Sequence, residues 1–226
     1  MAEETREPQY KICSELRDAE GFARFGLMSN QTWHDDPMRL LFMLSRYKFV
    51  AKMFAGRRHV LEIGCADAFG TRFVRQAAAR VTAADFDPVF IRDAAARKDD
   101  SGWDVECITH DILDGPVAGG FDAAFSLDVL EHIAPENETA FVSNIVRSVE
   151  KNAPVIIGTP SLQSQQYASP PSREGHINCK DSKSLLALLE TYFYNVFIFS
   201  MNDEVVHTGF YPMAHYWIAL CCGIKE

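Results

Sequence analysis

The sequence predicts an α/β fold, a mostly parallel sheet with helices packed on both faces. Three observations predict it. From residue 58 onward, short apolar runs alternate with segments whose apolar residues recur at helical spacing. Two Asp-Pro pairs, Asp36-Pro37 and Asp87-Pro88, stand where helices should begin; aspartate accepts orphan amide hydrogens at an N-cap, and proline is tolerated in the first turn. The early apolar runs also end in small or acidic residues, Gly64-Cys65-Ala66 after one and Asp85 after the next, and parallel sheets bind ligands at those strand ends.

Each element follows in order. Residues 1–30 are mixed and polar and read as a loosely attached arm or cap. A helix starts at Asp36-Pro37, carries Met43, Tyr47, Val50 and Phe54 on one face, and stops near Gly56. Residues 59–63 form a buried strand, followed by a turn through Gly70 and a helix to about Ala79. Residues 80–84 form a second strand ending in Asp85, and Asp87-Pro88 opens a helix to about Ala96. Residues 103–108 and 121–126 are the third and fourth strands. Phe141, Val142, Ile145, Val146 and Val149 mark a helix face, and residues 154–157 a fifth strand. The polar stretch 159–180 has no apolar period, and Pro170-Pro171 should stiffen its middle. Asp181 or Ser182 caps a leucine-rich helix, and residues 196–199 and 216–220 are the last two strands.

At 226 residues the chain suits one domain, with residues 1–57 as an N-terminal helical cap and 58–226 as the ligand-binding part. The net charge of −9 argues against a nucleic-acid partner, which needs a clustered positive surface. No apolar run reaches the roughly 20 residues of a membrane span, and the N-terminus lacks a secretory pattern, so no membrane association is expected. Six cysteines without a C-x-x-C pair suggest neither disulfides nor zinc, and point to a reducing cytoplasm.

The strand ends carry the chemistry. Small residues after Glu62-Ile63 let the backbone pass close to a ligand. Asp85 can accept two hydrogen bonds from a ribose diol, and Asp111-Ile112 suits the amino group and ring face of adenine. A dinucleotide fingerprint requires G-x-G-x-x-G, but Gly64, Ala66 and Phe69 stand at those positions, and no P-loop is present. The residues therefore describe a pocket for adenosine without a pyrophosphate cradle.

VLEIGCADAFG (60–70), AADFDP (83–88) and FDAAFSLDVLEHI (121–133) resemble the class I methyltransferases that use S-adenosylmethionine (SAM), over roughly residues 58–222. The resemblance implies a Rossmann-like, seven-stranded, mostly parallel sheet whose last-placed strand is antiparallel, with SAM as cofactor and S-adenosylhomocysteine (SAH) as product. It further implies that the backbone of Gly64, Cys65 and Ala66 lies against the methionine part, that Asp85 holds the ribose, that Phe86 covers adenine, that Asp111 and Ile112 contact adenine, and that the Leu127 carbonyl meets the amine. The family usually reads G-x-G-x-G where this chain has Gly64, Ala66 and Ala68; both alanines are expected to keep negative φ.

Beyond the resemblance, Arg46 is placed to pair with the methionine carboxylate. His132 and His176 are the candidate proton handlers for a hydroxyl acceptor. Asp128, Glu131 and His132 could form a metal site with His176, but spacing alone gives it little support, and no metal is expected. The polar stretch 159–180, including Arg173 and Asn178, is read as the acceptor-recognition loop. HIN (176–178) before a leucine helix resembles methyltransferases that modify sugars and polysaccharides, which favours O-methylation of a sugar-like or phosphorylated polyol as the small-molecule acceptor. A catalytically silent SAM-binding subunit and a nicotinamide-dependent oxidoreductase are the rivals; a nucleic-acid or protein methyltransferase is disfavoured by charge.

Overall fold

The computed structural model describes residues 5–101, 104–209 and 211–226. Its sheet contains β1 (Val60–Ile63), β2 (Val81–Asp85), β3 (Glu106–Thr109), β4 (Ala123–Leu127), β5 (Val155–Pro160), β6 (Phe193–Asn202), β7 (Val205–His207) and β8 (Tyr216–Ile224). The order is β3-β2-β1-β4-β5-β8-β6-β7. Strands β1 to β5 pair in parallel, and β8 runs antiparallel between β5 and β6. The expected sheet is therefore present with one strand more. The extra β7 is three residues that fold back on the end of β6; it is too short and too exposed to leave an apolar signature.

Helices α1 (Lys11–Glu20), α2 (Leu27–Asp35), α3 (Met38–Met53), α4 (Thr71–Ala77), α5 (Pro88–Ser101), α6 (Glu138–Ser148), α7 (Pro170–Gly175) and α8 (Ser182–Glu190) complete the fold. The capping signals act as expected. Asp36 accepts from the Met38 amide at 3.1 Å, Asp87 from Val89 at 2.8 Å and Asp181 from Ser184 at 2.7 Å.

Strand alternation divides the core. Leu61 and Ile63 face one layer with Phe141, Ile145, Leu185, Leu189 and Trp217. Val60 faces the other layer, where Tyr47, Val50 and Phe54 of α3 and its C-terminal end meet Val74, Phe125 and Ile156. Full burial of each such side chain stabilises by about 1.5–3 kcal/mol. The parallel strands thus present their carboxyl ends at one edge of the sheet.

Two expectations are corrected and a third is narrowed. Of the arm-or-cap alternatives for the N-terminal segment, the part at α2 packs as a cap: Ser29 is buried, and its amide and hydroxyl donate to Asp67 at 2.7 and 2.8 Å, while α1 buries no residue. The stretch 159–180 holds a 3₁₀ turn (Leu162–Tyr167) and α7. There Pro170 and Pro171 start the helix behind Ser169, whose hydroxyl accepts from the Ser172 amide. The third strand begins at Glu106; Trp103, which the sequence placed in it, lies outside the described residues.

Candidate active site

A cavity of about 510 Å³ opens at the carboxyl ends of β1, β2, β3 and β4, within the size range of small-ligand sites. Its wall brings together Gly64 and Ala66 after β1, Asp85 and Phe86 after β2, Asp111 and Ile112 after β3, and Asp128 and His132 after β4. Met28 of α2 completes it.

The turn after β1 is closed on itself. Gly64 has φ 78°, and a Cβ there would stand 2.1 Å from Cγ2 of Val129, so only glycine lets β1 pass this close to the segment after β4. The amides of Gly64 and Cys65 donate to the Ala84 carbonyl, Ala66 donates to Asp85 at 2.8 Å, Ala68 donates to the Cys65 carbonyl, and Phe69 donates to Asp67. Five amides that would cradle a phosphate are thereby committed within the protein. Ala66 and Ala68 adopt φ 45° and 52°, against the expectation of negative φ. The turn demands the left-handed backbone that glycine takes freely, and each alanine there costs about 1–2 kcal/mol.

Beneath the turn, Glu62 is buried and accepts hydrogen bonds from Tyr47 at 2.6 Å and Thr71 at 2.5 Å. Burial, more than any neighbour, lifts its pKa to about 7. Asp85 is 7% exposed; one carboxylate oxygen braces Ala66 and the other accepts from the Asp87 amide at 2.9 Å. Each oxygen retains a lone pair. Asp111 accepts from the Leu113 amide, and Phe86 is 70% exposed at the rim.

Arg46 reaches from α3 to the end of β4. Its Nη1 lies 2.7 Å from both Asp128 oxygens, and its guanidinium stacks 3.8 Å over the Tyr216 ring. Burial pulls its pKa down, but Asp128, with Tyr216 and Glu131 behind it, more than restores it. Asp128 itself has φ 58°, and Tyr216 Oη accepts from its amide at 3.2 Å.

Further along the segment after β4, the His132 ring crosses that of His176 at 72° with centroids 5.1 Å apart. Burial, then His132, lowers the His176 pKa, which keeps the imidazole neutral near pH 7. Glu131 beside them is 1% exposed, and burial together with Asp128 pushes its carboxyl well above the usual range. Among the described residues that line the cavity there is no lysine or arginine, whereas three are aspartates. A cationic ligand with a sugar diol suits that wall, and a pyrophosphate does not.

Residues 60–152 match the family described as a methyltransferase domain. Among solved structures, the N-methyltransferase NodS from Bradyrhizobium japonicum WM9, in complex with SAH, superposes with a TM-score of 0.65 at 19% identity, over 86% of this chain and 92% of that one. DhpI, in a SAM-HEP complex, gives 0.62 at 18%, over 97% and 99%. A TehB-like SAM-dependent methyltransferase from Corynebacterium glutamicum gives 0.58 at 17%, over 78% and 86%. No curated protein matches in sequence.

The fold is that of a class I SAM-dependent methyltransferase.

Within this methyltransferase fold, the cavity gathers most of the residues the sequence singled out. Gly64, Ala66, Asp85, Phe86, Asp111, Ile112 and His132 line it. Cys65 and Leu127 are buried just behind the wall, and Arg46 approaches through Asp128. His176 stands against His132. Asn178 is buried, donating to the Ile133 carbonyl at 2.9 Å and to Glu138 at 2.6 Å. Arg173 donates to the carbonyls of Ala168 and Gln166 at 2.9 Å each. Both side chains brace the loop. Met28 was missed, because nothing in the sequence of the first thirty residues marks a return to the sheet edge. Among the described residues no helix is long and apolar enough to cross a membrane.

Proposed function

We propose that this chain transfers a methyl group from SAM to a hydroxyl of a small, polar, sugar-like acceptor. The observation that carries the cofactor half is the pairing of Asp85 and Asp111 in one cavity with a β1 turn whose amides are already bonded. SAM fits this wall: its ribose diol has the free lone pairs of Asp85, its adenine has Asp111 with Ile112 and Phe86, and its sulfonium has a cation-free, aspartate-bearing surface. Backbone of Gly64, Cys65 and Ala66 and the Leu127 carbonyl would border the methionine part. Arg46, held by Asp128 at the end of β4, is the cation we assign to its carboxylate.

SAM supplies an electrophilic methyl, and the protein's task is alignment, which in favourable model systems is worth up to about 7–11 kcal/mol. His132 and His176 are the acceptor-side groups able to act on a hydroxyl proton. The lack of lysine and arginine along the cavity favours a neutral sugar-like acceptor over a phosphorylated one. A nicotinamide dinucleotide would need the amide cradle that the turn has closed.

Titration calorimetry with SAH and with NAD tests the cofactor half, and micromolar SAH binding without NAD binding is expected. NAD binding in preference to SAH would overturn it. For the acceptor half, methyl-labelled SAM is incubated with neutral polyols, their phosphates and matching amines. Label moving only to amines would replace the hydroxyl reading with N-methylation, and the absence of transfer to any of them would favour a silent subunit.

A further inference from the structure

One donor atom from each of Glu131, His132 and His176 lies within 4.8 Å of the other two. Two further observations bear on this cluster. The first is an unpartnered oxygen. Glu131 Oε2 accepts from Thr159 Oγ1 at 3.1 Å, but the buried Oε1 has no hydrogen-bond partner. A buried carboxyl oxygen without a partner is costly, and native proteins seldom keep one without a use.

The second is the way the rings are held. His132 Nδ1 is 2.8 Å from the Gly175 carbonyl, and His176 Nδ1 is 2.9 Å from Gln165 Oε1. The Gln165 amide is oriented by its own nitrogen, which donates to the Ser161 carbonyl at 3.1 Å. Both partners of the rings can only accept, so Nδ1 carries the proton in each neutral imidazole and Nε2 is a lone pair. A carbonyl on one ring nitrogen, fixing tautomer and orientation, is the usual support of a metal-binding histidine.

We propose that Glu131, His132 and His176 bind a divalent transition-metal ion beside the cofactor cavity. Two imidazoles and one carboxylate suit Zn²⁺, Mn²⁺, Co²⁺ or Fe²⁺ better than Mg²⁺ or Ca²⁺, which prefer all-oxygen sets. Three protein ligands leave coordination positions open for an acceptor oxygen. Donors about 2.1 Å from one ion can stand no more than about 4.2 Å apart. The cluster therefore needs to close by at most about half an ångström. Asp128 is not counted as a ligand, since Arg46 takes both its oxygens.

The ion's part in turnover rests on the hydroxyl-acceptor reading above. A hydroxyl oxygen bound to the ion loses its proton to solvent more readily. That oxygen then forms the O–CH₃ bond as the S–CH₃ bond of SAM breaks, and the bond's electron pair remains on sulfur to give neutral SAH. His132 and His176 in this arrangement act on the hydroxyl through the ion.

The test uses the full chain, stripped by chelator, dialysed and titrated with Co²⁺ alone, followed by calorimetry and visible absorption. One saturable equivalent with d–d bands is expected. Outer-sphere partners of bound metals are worth about 10–100-fold in affinity, so loss of a direct ligand in His132→Ala, His176→Ala or Glu131→Gln should weaken binding about 100-fold or more. No saturable binding by the wild type overturns the proposal, whatever the variants do. Unchanged binding by a folded His132→Ala/His176→Ala double variant also overturns it. SAH calorimetry on the stripped protein keeps the two readings apart: SAH binding without Co²⁺ binding sinks the metal site alone, and Co²⁺ binding without SAH binding sinks only the cofactor reading.

Discussion

Asp85→Ala perturbs the β1 turn and the proposed ribose contact together, and the two effects are separable. In the wild type its oxygens accept from the amides of Ala66 at 2.8 Å and Asp87 at 2.9 Å. Each hydrogen bond to a charged group contributes about 1.5–3 kcal/mol, and partial access of water to the freed amides reduces the sum to roughly 2–4 kcal/mol. For a chain of this size about 2–4 °C is lost per kcal/mol, so melting should fall by roughly 5–15 °C. Loss of the ribose partner should cost about 1.5–3 kcal/mol more in SAH binding alone, which is about 10–150-fold in Kd. Asp85→Asn keeps one acceptor oxygen and should lose less of both. The assay is SAH calorimetry at a temperature well below the melting point of each variant, beside thermal denaturation. A lowered melting point with unaltered SAH affinity would make Asp85 a brace of the turn and remove it from the cofactor site. Neither quantity changing would refute the geometry itself.

Three other expectations follow from the same site. Glu62 has a folded pKa of about 7 against an ordinary 4.5. The folded state therefore holds the extra proton between those values; the stabilisation is complete below about pH 4.5, declines as pH rises, and is gone above about 7, a span of roughly 3 kcal/mol. Urea denaturation at pH 5 and pH 8 should show Glu62→Gln free of that decline, and parallel curves for the two proteins would contradict it. Ala66→Gly releases about 1–2 kcal/mol of left-handed strain but loosens the unfolded chain by about 0.4–1 kcal/mol, so its melting point should rise by up to about 4 °C; a fall would mean that the turn holds alanine without strain. Arg46→Ala leaves Asp128 without its partner. A fully buried pair would lose about 3–5 kcal/mol, but Asp128 opens to the cavity, so equilibrium unfolding should show about 1–3 kcal/mol, partly recovered in Arg46→Lys; equal stability of Arg46→Ala and wild type would count against the pair.

The sequence made visible whatever is decided locally. Asp36, Asp87 and Asp181 cap the helices they precede, because a cap needs only its own next few amides. Strands β1, β2, β4 and β5 are buried along their length and appear as short runs of mainly apolar and small residues, interrupted only by hydrogen-bonded polar positions such as Glu62 and Ser126. Strand β6 runs from Phe193 to Asn202, beyond the apolar 196–199 core, since its ends mix exposed and buried positions beside the edge strand β7. Pro170-Pro171 was ambiguous for a different reason. A proline pair stiffens a loop or opens a helix, and Ser169, whose hydroxyl takes the Ser172 amide, decides for the helix.

The two halves of the cavity differ in the same way. The adenosine side is built from residues that directly follow their strands, so Gly64, Asp85, Asp111 and Ile112 could be named from order alone. The acceptor side depends on contacts between distant segments. Ser29 on Asp67 brings Met28 to the cavity, and the Gly175 carbonyl and Gln165 orient His132 and His176. None of these pairs has a sequence period, and Arg173 and Asn178, chosen there by residue type, serve the loop's own structure. A chain sharing the first half with this one would therefore share its cofactor geometry, while its acceptor would depend on side chains that meet only after folding. It follows that exchanging residues 60–112 between two such chains should carry affinity for the adenosine part of the cofactor with the segment, measured as adenosine binding, while acceptor choice stays with the recipient, which keeps its own histidines and its own Arg46 and Leu127.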